Sequence, residues 1–281
     1  MSEPTRSLGA GALRELAERH GIHPKRSLGQ HFLIDPNLAR AIAADAGVGA
    51  GDRVVEIGAG LGSLTRALAE TGASVLAIEL DRALLPALEA SLEGLRNVRI
   101  VRADAMTFGW VDALDRGEWI LAGNLPYNVA TPIVLETLQR APRIRRLVVM
   151  VQREVGERLA AGPGEDGYGI PSVRVAYRAR AMVVRRVPPE VFWPRPKVAS
   201  VVVRVERRER PPVDVAEAPL WRVVEAGFAE RRKTMRNALR RLGLDADEAQ
   251  EVLAGAGIDP AARAETLGLA EFARIAEAFP A

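Results

Sequence analysis

The chain has 281 residues, 48% hydrophobic and 27% charged, the balance of an ordinary globular protein and not of a disordered one. No apolar run approaches the roughly 18 residues of a membrane span. Met1 to Gly11 lacks a signal-peptide core, and the absence of cysteine excludes disulfides and thiolate metal sites, so a cytoplasmic protein is expected. The formal net charge of +3 hides an asymmetry. Residues 140–210 carry 17 Arg and Lys against 7 Asp and Glu, whereas residues 1–139 carry 13 against 17 and residues 211–281 carry 9 against 12. Such a block is either a polyanion face or the solvated surface of an arginine-rich chain. His20, His23 and His31 sit close together without a zinc pattern, so no metal is expected.

Leu8 to Arg19 has helical spacing, and His23 to Leu33 reads as a loop. Asp35-Pro36 looks like an N-cap followed by Pro at the first helical position, opening a helix to about Ala46. Strands and helices then alternate. Strands are expected at Val54–Ile57, Ser74–Ile78, Val98–Val101, Trp119–Ala122 and Leu147–Val151. Helices are expected at Ser63–Glu70, Arg82–Leu92 and Thr131–Leu138. This order means a parallel, doubly wound sheet. Gly162-Pro163-Gly164 and Gly167-Tyr168-Gly169 mark a loop. Ala181–Val187 and Ser200–Val205 are β-rich and suit a hairpin-like pair closing the sheet edge. Arg207 to Pro212 reads as a linker, with only helices after it. The expected division is a domain over residues 1–208, with a helical extension over about 1–34, and a helical domain over 209–281.

Val54-Val55-Glu56-Ile57-Gly58-Ala59-Gly60-Leu61-Gly62 runs from strand to helix, and its glycines allow a tight turn and close ligand approach. A dinucleotide fingerprint places its third Gly three residues after the second; here Gly62 follows Gly60 by two. Glu79 ends the next strand, where an acid can accept from both ribose hydroxyls. Asp104 ends the third and can accept from an adenine amino group. Either acid alone also reads as a solvated strand end. Asn124-Leu125-Pro126-Tyr127 ends the fourth, at the edge where open α/β sheets bind ligands. By itself it reads equally as a strand-end turn. The other reading is a grip on a base. An exocyclic adenine nitrogen is a poor nucleophile because its lone pair is delocalised into the ring. Methylating it needs acceptors, such as Asn124 Oδ1 and the carbonyl of the Pro126 region, and an aromatic plate such as Tyr127.

The glycine turn with its leading acid resembles motif I of class I S-adenosylmethionine methyltransferases. With Gly29-Gln30-His31-Phe32-Leu33, the Asn-Leu-Pro-Tyr stretch, Val187 to Val198 and Phe228 to Asn237, the chain from Lys25 to Leu239 resembles the small-subunit (16S) ribosomal RNA adenine N6-dimethyltransferases of the KsgA type. The resemblance implies an α/β, Rossmann-like class I S-adenosylmethionine methyltransferase with a small C-terminal helical domain. It implies dimethylation of N6 on two adjacent adenosines in a hairpin near the 3′ end of small-subunit rRNA. A role in small-subunit biogenesis goes with this activity. Gln30, His31 and Leu33 would contact the methionine end of the cofactor, Gly58 and Gly60 the turn around it, Glu79 the ribose and Asp104 the adenine. Many relatives have Asn in place of His31. Asn124, also expected to bind the cofactor, and Pro126 would orient the amine, and Tyr127 and Phe192 would sandwich the flipped adenine. Arg143, Arg145, Arg146, Lys197, Arg231, Arg232, Lys233 and Arg236 would meet RNA phosphates. The implied partners are small-subunit rRNA and the precursor particle, with no membrane, no metal and a monomeric chain.

Two other readings stay open on sequence alone. One is a large-subunit rRNA adenine methyltransferase of the antibiotic-resistance type. The other is a ribosome-assembly factor that works by binding only. A nicotinamide dehydrogenase is disfavoured by the glycine spacing and by the lack of a histidine near the strand ends.

Overall fold

A computed structural model describes residues 9–25, 29–114, 117–230 and 232–279. Its elements begin with α1 (Ala10–Arg19), β1 (Phe32–Leu33), α2 (Pro36–Ala46), β2 (Arg53–Ile57), α3 (Ser63–Glu70), β3 (Ser74–Glu79), α4 (Leu85–Ser91) and β4 (Val98–Arg102). Next come α5 (Trp110–Ala113), β5 (Trp119–Asn124), α6 (Ala130–Arg140), β6 (Ile144–Gln152), α7 (Arg153–Ala160), α8 (Ile170–Arg178), β7 (Ala179–Val187), β8 (Phe192–Trp193) and β9 (Ser200–Arg207). The last four helices are α9 (Glu217–Phe228), α10 (Met235–Arg241), α11 (Ala246–Gly255) and α12 (Leu269–Ala278).

Local chemistry sets the boundaries. The Asp35 carboxylate accepts from the N–H groups of Asn37 and Leu38, Pro36 opens α2, and Gly47 ends it in the left-handed conformation. The sheet has the order β4-β3-β2-β5-β6-β9-β7. Strands β2 to β6 are parallel, and β9 returns antiparallel to β6. On one face Ile42 and Ala43 of α2 and Leu68 of α3 pack onto Val54, Val148 and Val202. Each aliphatic side chain buried there contributes about 2 kcal/mol of transfer free energy. The segment read as a loop over His23–Leu33 ends in β1, which pairs with β8 through Phe32↔Trp193 and Leu33↔Phe192.

The chain divides into two compact units, residues 1–156 with 181–207, and residues 157–180 with 208–281. The expected boundary at 208 therefore lacks one excursion. Tyr168, Val173 and Tyr177 bury their apolar surface among Leu220, Val224, Leu253 and Phe272 of the helical unit. The Tyr168 hydroxyl also donates to the Leu267 carbonyl at 2.8 Å. The glycine-rich loop reading hid this because α8 starts only at Ile170, directly behind those glycines.

Much of the basic block is consumed by the fold. Arg207 donates to the carbonyls of Thr137, Leu138, Ala141 and Ile144, satisfying the open C-terminal end of α6. Arg185 pairs with Asp45 at 2.8 Å, and within the helical unit Arg178 pairs with Glu217 at 2.7 Å.

Gly123 sits where β5 crosses closest to β2. A Cβ there would lie 2.7 Å from the Ile57 carbonyl oxygen, which is backbone and cannot swing away. Gly123→Ala is expected to lower the stability of the sheet unit by roughly 1–3 kcal/mol in chemical denaturation. An unchanged midpoint would show that the two strands have room to separate.

Candidate active site

The crevice opens where the sheet order reverses. From β2 the chain steps outward through β3 and β4, then returns with β5 on the other side of β2. The C-terminal ends of β3, β2 and β5 are neighbours, which is the switch point at which such sheets bind ligands. A cleft lies there. Gln30, His31, Leu33, Glu56, Gly58, Gly60, Glu79, Asn124 and Pro126 all line it. Asp104, Tyr127 and Phe192 do not line it.

The glycine turn wraps around a carboxylate. Gly58, Gly60 and Gly62 have φ of 76°, 57° and 85°. The Gly60 N–H donates to Glu79 Oε2 at 2.8 Å, and the Asp81 N–H donates to Glu79 Oε1 at 2.8 Å. A donor that a dinucleotide pyrophosphate would need is thus held by the protein's own anion. At Gly62 a Cβ would fall 2.2 Å from Ser91 Oγ, so only glycine fits the turn against α4.

Two buried carboxyls share this floor and are not equivalent. Burial raises the Glu79 pKa, an effect that N–H donors from Asp81, Gly60 and Leu80 partly offset, so its carboxyl is better supplied with donors than that of Glu56. Glu56 is 1% exposed, and its Oε2 has no hydrogen-bond partner. Burial pushes Glu56 up to about 8 and the charge of Glu79 adds to it; the nearby Thr65 hydroxyl, which could offset this, makes no hydrogen bond. Asp81 is lowered. Burial works against that, and hydrogen bonds from Lys25 and Gln30 outweigh it. Lys25 Nζ lies 2.8 Å from Asp81 and Gln30 Nε2 donates to it at 3.0 Å, clipping the N-terminal segment over the crevice. Neither Lys25 nor Asp81 was singled out by sequence. The only signal was Asp81 standing two residues after Glu79.

His31 organises the other wall. Its main-chain carbonyl accepts from Asn124 Nδ2 at 2.8 Å. This uses one of the two Asn124 amide N–H donors and fixes the side chain of a residue that lines the cleft. The His31 ring stacks on Tyr127 with centroids 5.3 Å apart. His31 Nδ1 lies 2.6 Å from the Pro194 carbonyl, and since a carbonyl only accepts, Nδ1 carries the hydrogen. The Tyr127 hydroxyl is 2.9 Å from Ser200 Oγ. Burial raises the Tyr127 pKa more than Ser200 lowers it, so the ring stays a neutral phenol. The Pro126 carbonyl accepts from the Val129 N–H at 3.1 Å and keeps a second lone pair.

Other expected residues stand apart. Phe192 is 2% exposed within the α2–α3 core, so its ring has no open face in this structure. Asp104 is exposed at the end of β4, where Oδ1 accepts from the Met106 N–H at 2.9 Å. The expected phosphate contacts divide by position. Strand β6 starts opposite Trp119, at the far end of β5 from Asn124, about 17 Å away at 3.3 Å per residue. There Arg143 donates to the Leu114 carbonyl, Arg145 pairs with Glu118 at 3.1 Å and Arg146 pairs with Glu206 at 2.7 Å. Those three charges are held by the fold, away from the crevice. Lys197 is exposed, three residues beyond the Pro194 that His31 contacts. In the helical unit Arg232 and Lys233 are exposed, and Arg236 donates to the Ala246 carbonyl at 3.2 Å. Arg231 lies outside the described residues.

The ribosomal RNA adenine dimethylase family matches residues 22–280. The chain belongs to this family. It is 47% identical over 275 residues to the Ribosomal RNA small subunit methyltransferase A of Moorella thermoacetica, covering 94% of this chain and 96% of that one. Among solved structures, a dimethyladenosine transferase from Plasmodium falciparum superposes with a TM-score of 0.75 at 22% identity, over 87% of this chain and 96% of that one. The 23S rRNA methyltransferase ErmE superposes with a TM-score of 0.67 at 26% identity, over 88% of this chain and 98% of that one. The fold is that of the Rossmann-like class I methyltransferases. Among the described residues, no group of three or more His, Cys, Asp or Glu is placed to hold a metal ion, and no helix is long and apolar enough to cross a membrane.

Glu56 gives a stability test. Its carboxyl is neutral in the fold below about pH 8 and ionised in the unfolded chain above 4.5. Its contribution is complete below pH 4.5 and is lost as pH rises toward 8. Glu56→Gln stays neutral throughout. At pH 7 the variant is expected to be the more stable, by on the order of 3 kcal/mol, with the difference narrowing toward pH 4.5 in thermal melts of both proteins.

Proposed function

We propose that this chain uses S-adenosylmethionine to dimethylate N6 of two adjacent adenosines in a hairpin near the 3′ end of small-subunit rRNA, acting on a precursor of the small ribosomal subunit. The observation that carries this reading is the placement of Asn124: it lines the cleft at the end of β5, its Nδ2 anchored on the His31 carbonyl, and its Oδ1 is an acceptor.

The cleft suits a cationic nucleoside. Among the described residues its lining includes Glu56, Glu79 and Asp81 and no arginine or lysine. The partnerless Oε2 of buried Glu56 and the donor-held carboxylate of Glu79 favour a cation bearing hydroxyls over a phosphorylated dinucleotide. Glu79 keeps lone pairs for ribose hydroxyls, and Leu33 and Leu61 give apolar walls. When bound, the cofactor supplies a methyl group already activated by the sulfonium charge. The protein's part is placement. Asn124 Oδ1 and the Pro126 carbonyl accept from the adenine amino group and localise its lone pair. The Tyr127 ring, fixed by His31 and Ser200, supports the base. Alignment and polarisation carry the rate, not a strong base. Unpaired hairpin bases are the least costly to extrude. Lys197, and in the helical unit Arg232 and Lys233, are the basic residues assigned to RNA phosphates.

Two measurements test the reading. Asn124→Ala is expected to lose at least about 100-fold in kcat while keeping its calorimetric heat with S-adenosylmethionine. Labelled methyl groups are expected in small-subunit and not large-subunit particles; label in the large subunit would instead select the antibiotic-resistance type of activity. Lys197→Glu is expected to weaken binding to small-subunit precursor particles, with an affinity that falls linearly in log salt. Binding that ignores both the charge reversal and the salt would remove Lys197 from the RNA face.

A further inference from the structure

We propose that the loop over residues 194–200 holds the RNA nucleotide next to the extruded adenosine, with Val198 as the apolar floor under its base and Lys197 on its phosphate. The inference rests on the reading of the chain as an rRNA adenine dimethyltransferase and goes beyond it by giving the neighbouring nucleotide a place on the protein.

The loop joins β8 to β9. Strand β9 runs antiparallel to β6, and Ser200 stands opposite Gln152 at the C-terminal end of β6. Asn124 stands beside Met150, two residues before that end, so the loop emerges at the edge of the sheet that carries Asn124. Three hydrogen bonds fasten it. The Pro194 carbonyl accepts from His31 Nδ1 at 2.6 Å, the Ala199 carbonyl accepts from the Arg153 N–H at 3.0 Å, and Ser200 Oγ lies 2.9 Å from the Tyr127 hydroxyl. Two of these partners, His31 and Tyr127, are the pair stacked on each other in the base site. Pro194 and Pro196 fix φ at two positions of the loop, and Pro196 is buried. The loop is thus a rigid extension of the ring on which the adenine is expected to rest.

This rigid loop displays an apolar side chain beside a cation. Val198 is 47% exposed and Lys197 is exposed, whereas Arg195 is paired with Glu190. Isolated exposed apolar side chains are common, and position sets this one apart. Of the five large apolar side chains exposed among the described residues, Leu80 lines the cleft, Val111 lies on α5, and Met182 and Val183 lie on β7. Among these five, Val198 alone belongs to a segment bonded to Tyr127. Two residues of chain span at most about 7 Å, so Val198 sits within that reach of Ser200 and close to the nucleotide that follows or precedes one held on Tyr127. Extruding an adenosine deprives its neighbour of a stacking partner. An apolar side chain on a rigid backbone replaces that partner at little ordering cost, and the adjacent ammonium meets the phosphate. Valine carries no hydrogen-bonding group, so the floor accepts an adenine whether or not its N6 is already methylated. That indifference suits a reaction on two adjacent adenosines.

The test uses the full chain, labelled S-adenosylmethionine and small-subunit precursor particles from cells lacking this activity. Val198→Ser is expected to lower kcat/KM for the particles about tenfold, the worth of covering half a valine side chain. Val198→Asp is expected to lower it further, and Val198→Ile to keep it. Melting temperature and the heat of cofactor binding are expected to stay at wild-type values in all three, because the side chain is half exposed and does not line the cleft. Acylation of ribose 2′-hydroxyls in particles bound to the protein and S-adenosylhomocysteine reads the contact itself. Wild type and Val198→Ile are expected to protect one nucleotide flanking the target adenosine. Val198→Ser is expected to leave that nucleotide reactive while the target stays protected. Wild-type turnover by Val198→Ser, or one footprint common to all variants, would overturn the proposal and leave the dimethyltransferase reading intact. A loss confined to Val198→Asp would overturn it too, since that is repulsion of phosphate without an apolar contact. Wild type that labels no small-subunit adenosine would overturn both.

Discussion

The hydrogen bond from the Gly60 N–H to the Glu79 carboxylate is the contact on which the site depends. It joins the turn after β2 to the end of β3, and it does so by placing an anion where a phosphate would otherwise sit. The left-handed glycines are needed because the backbone must curl around that carboxylate. Glu56 beside it lacks such donors at Oε2, and burial above all, with the Glu79 charge adding to it, raises its pKa. The crevice lining carries the three acids Glu56, Glu79 and Asp81 and, among the described residues, no arginine or lysine.

The second constraint is the N-terminal segment laid across the crevice mouth. Lys25 and Gln30 tie it to Asp81 at one side, and β1 ties it to β8 at the other. Between those anchors His31 fixes the Asn124 amide through its carbonyl and the Tyr127 ring through its imidazole. One short stretch therefore sets the geometry of both groups that would meet the base. It explains how a surface segment with few regular hydrogen bonds of its own can take part in a site that demands alignment. It also makes a role for the main chain at residue 31 independent of which side chain stands there.

Charge illustrates where counting residues misleads. The arginine surplus of residues 140–210 suggests a polyanion face. Arg207 instead closes the carbonyl end of α6, Arg146 holds the Ala46 carbonyl at the end of α2, and Arg178 pairs with Glu217. An arginine offers five donors, and a fold with many helix ends uses them. Among the expected RNA contacts that lie in the described residues, exposure leaves Lys197, Arg232 and Lys233, which a tally of charge could not separate from the rest.

From the residues alone, periodicity and turn chemistry determined the parallel sheet, the capped helix after Asp35 and the glycine turn, because each depends on neighbours a few positions away. The strand ends carrying Glu79, Asn124 and the Asn-Leu-Pro-Tyr stretch were legible for the same reason. What the tertiary structure decided are relations between distant segments. These include the membership of 157–180 in the helical unit, the short β1–β8 pair, the burial of Phe192, the Lys25–Asp81 clip and the unequal supply of hydrogen-bond donors to Glu56 and Glu79. None has a local signature, since burial and partner distance are properties of packing. A carboxyl's charge is set by what surrounds it in space, and the order of residues along the chain does not state that.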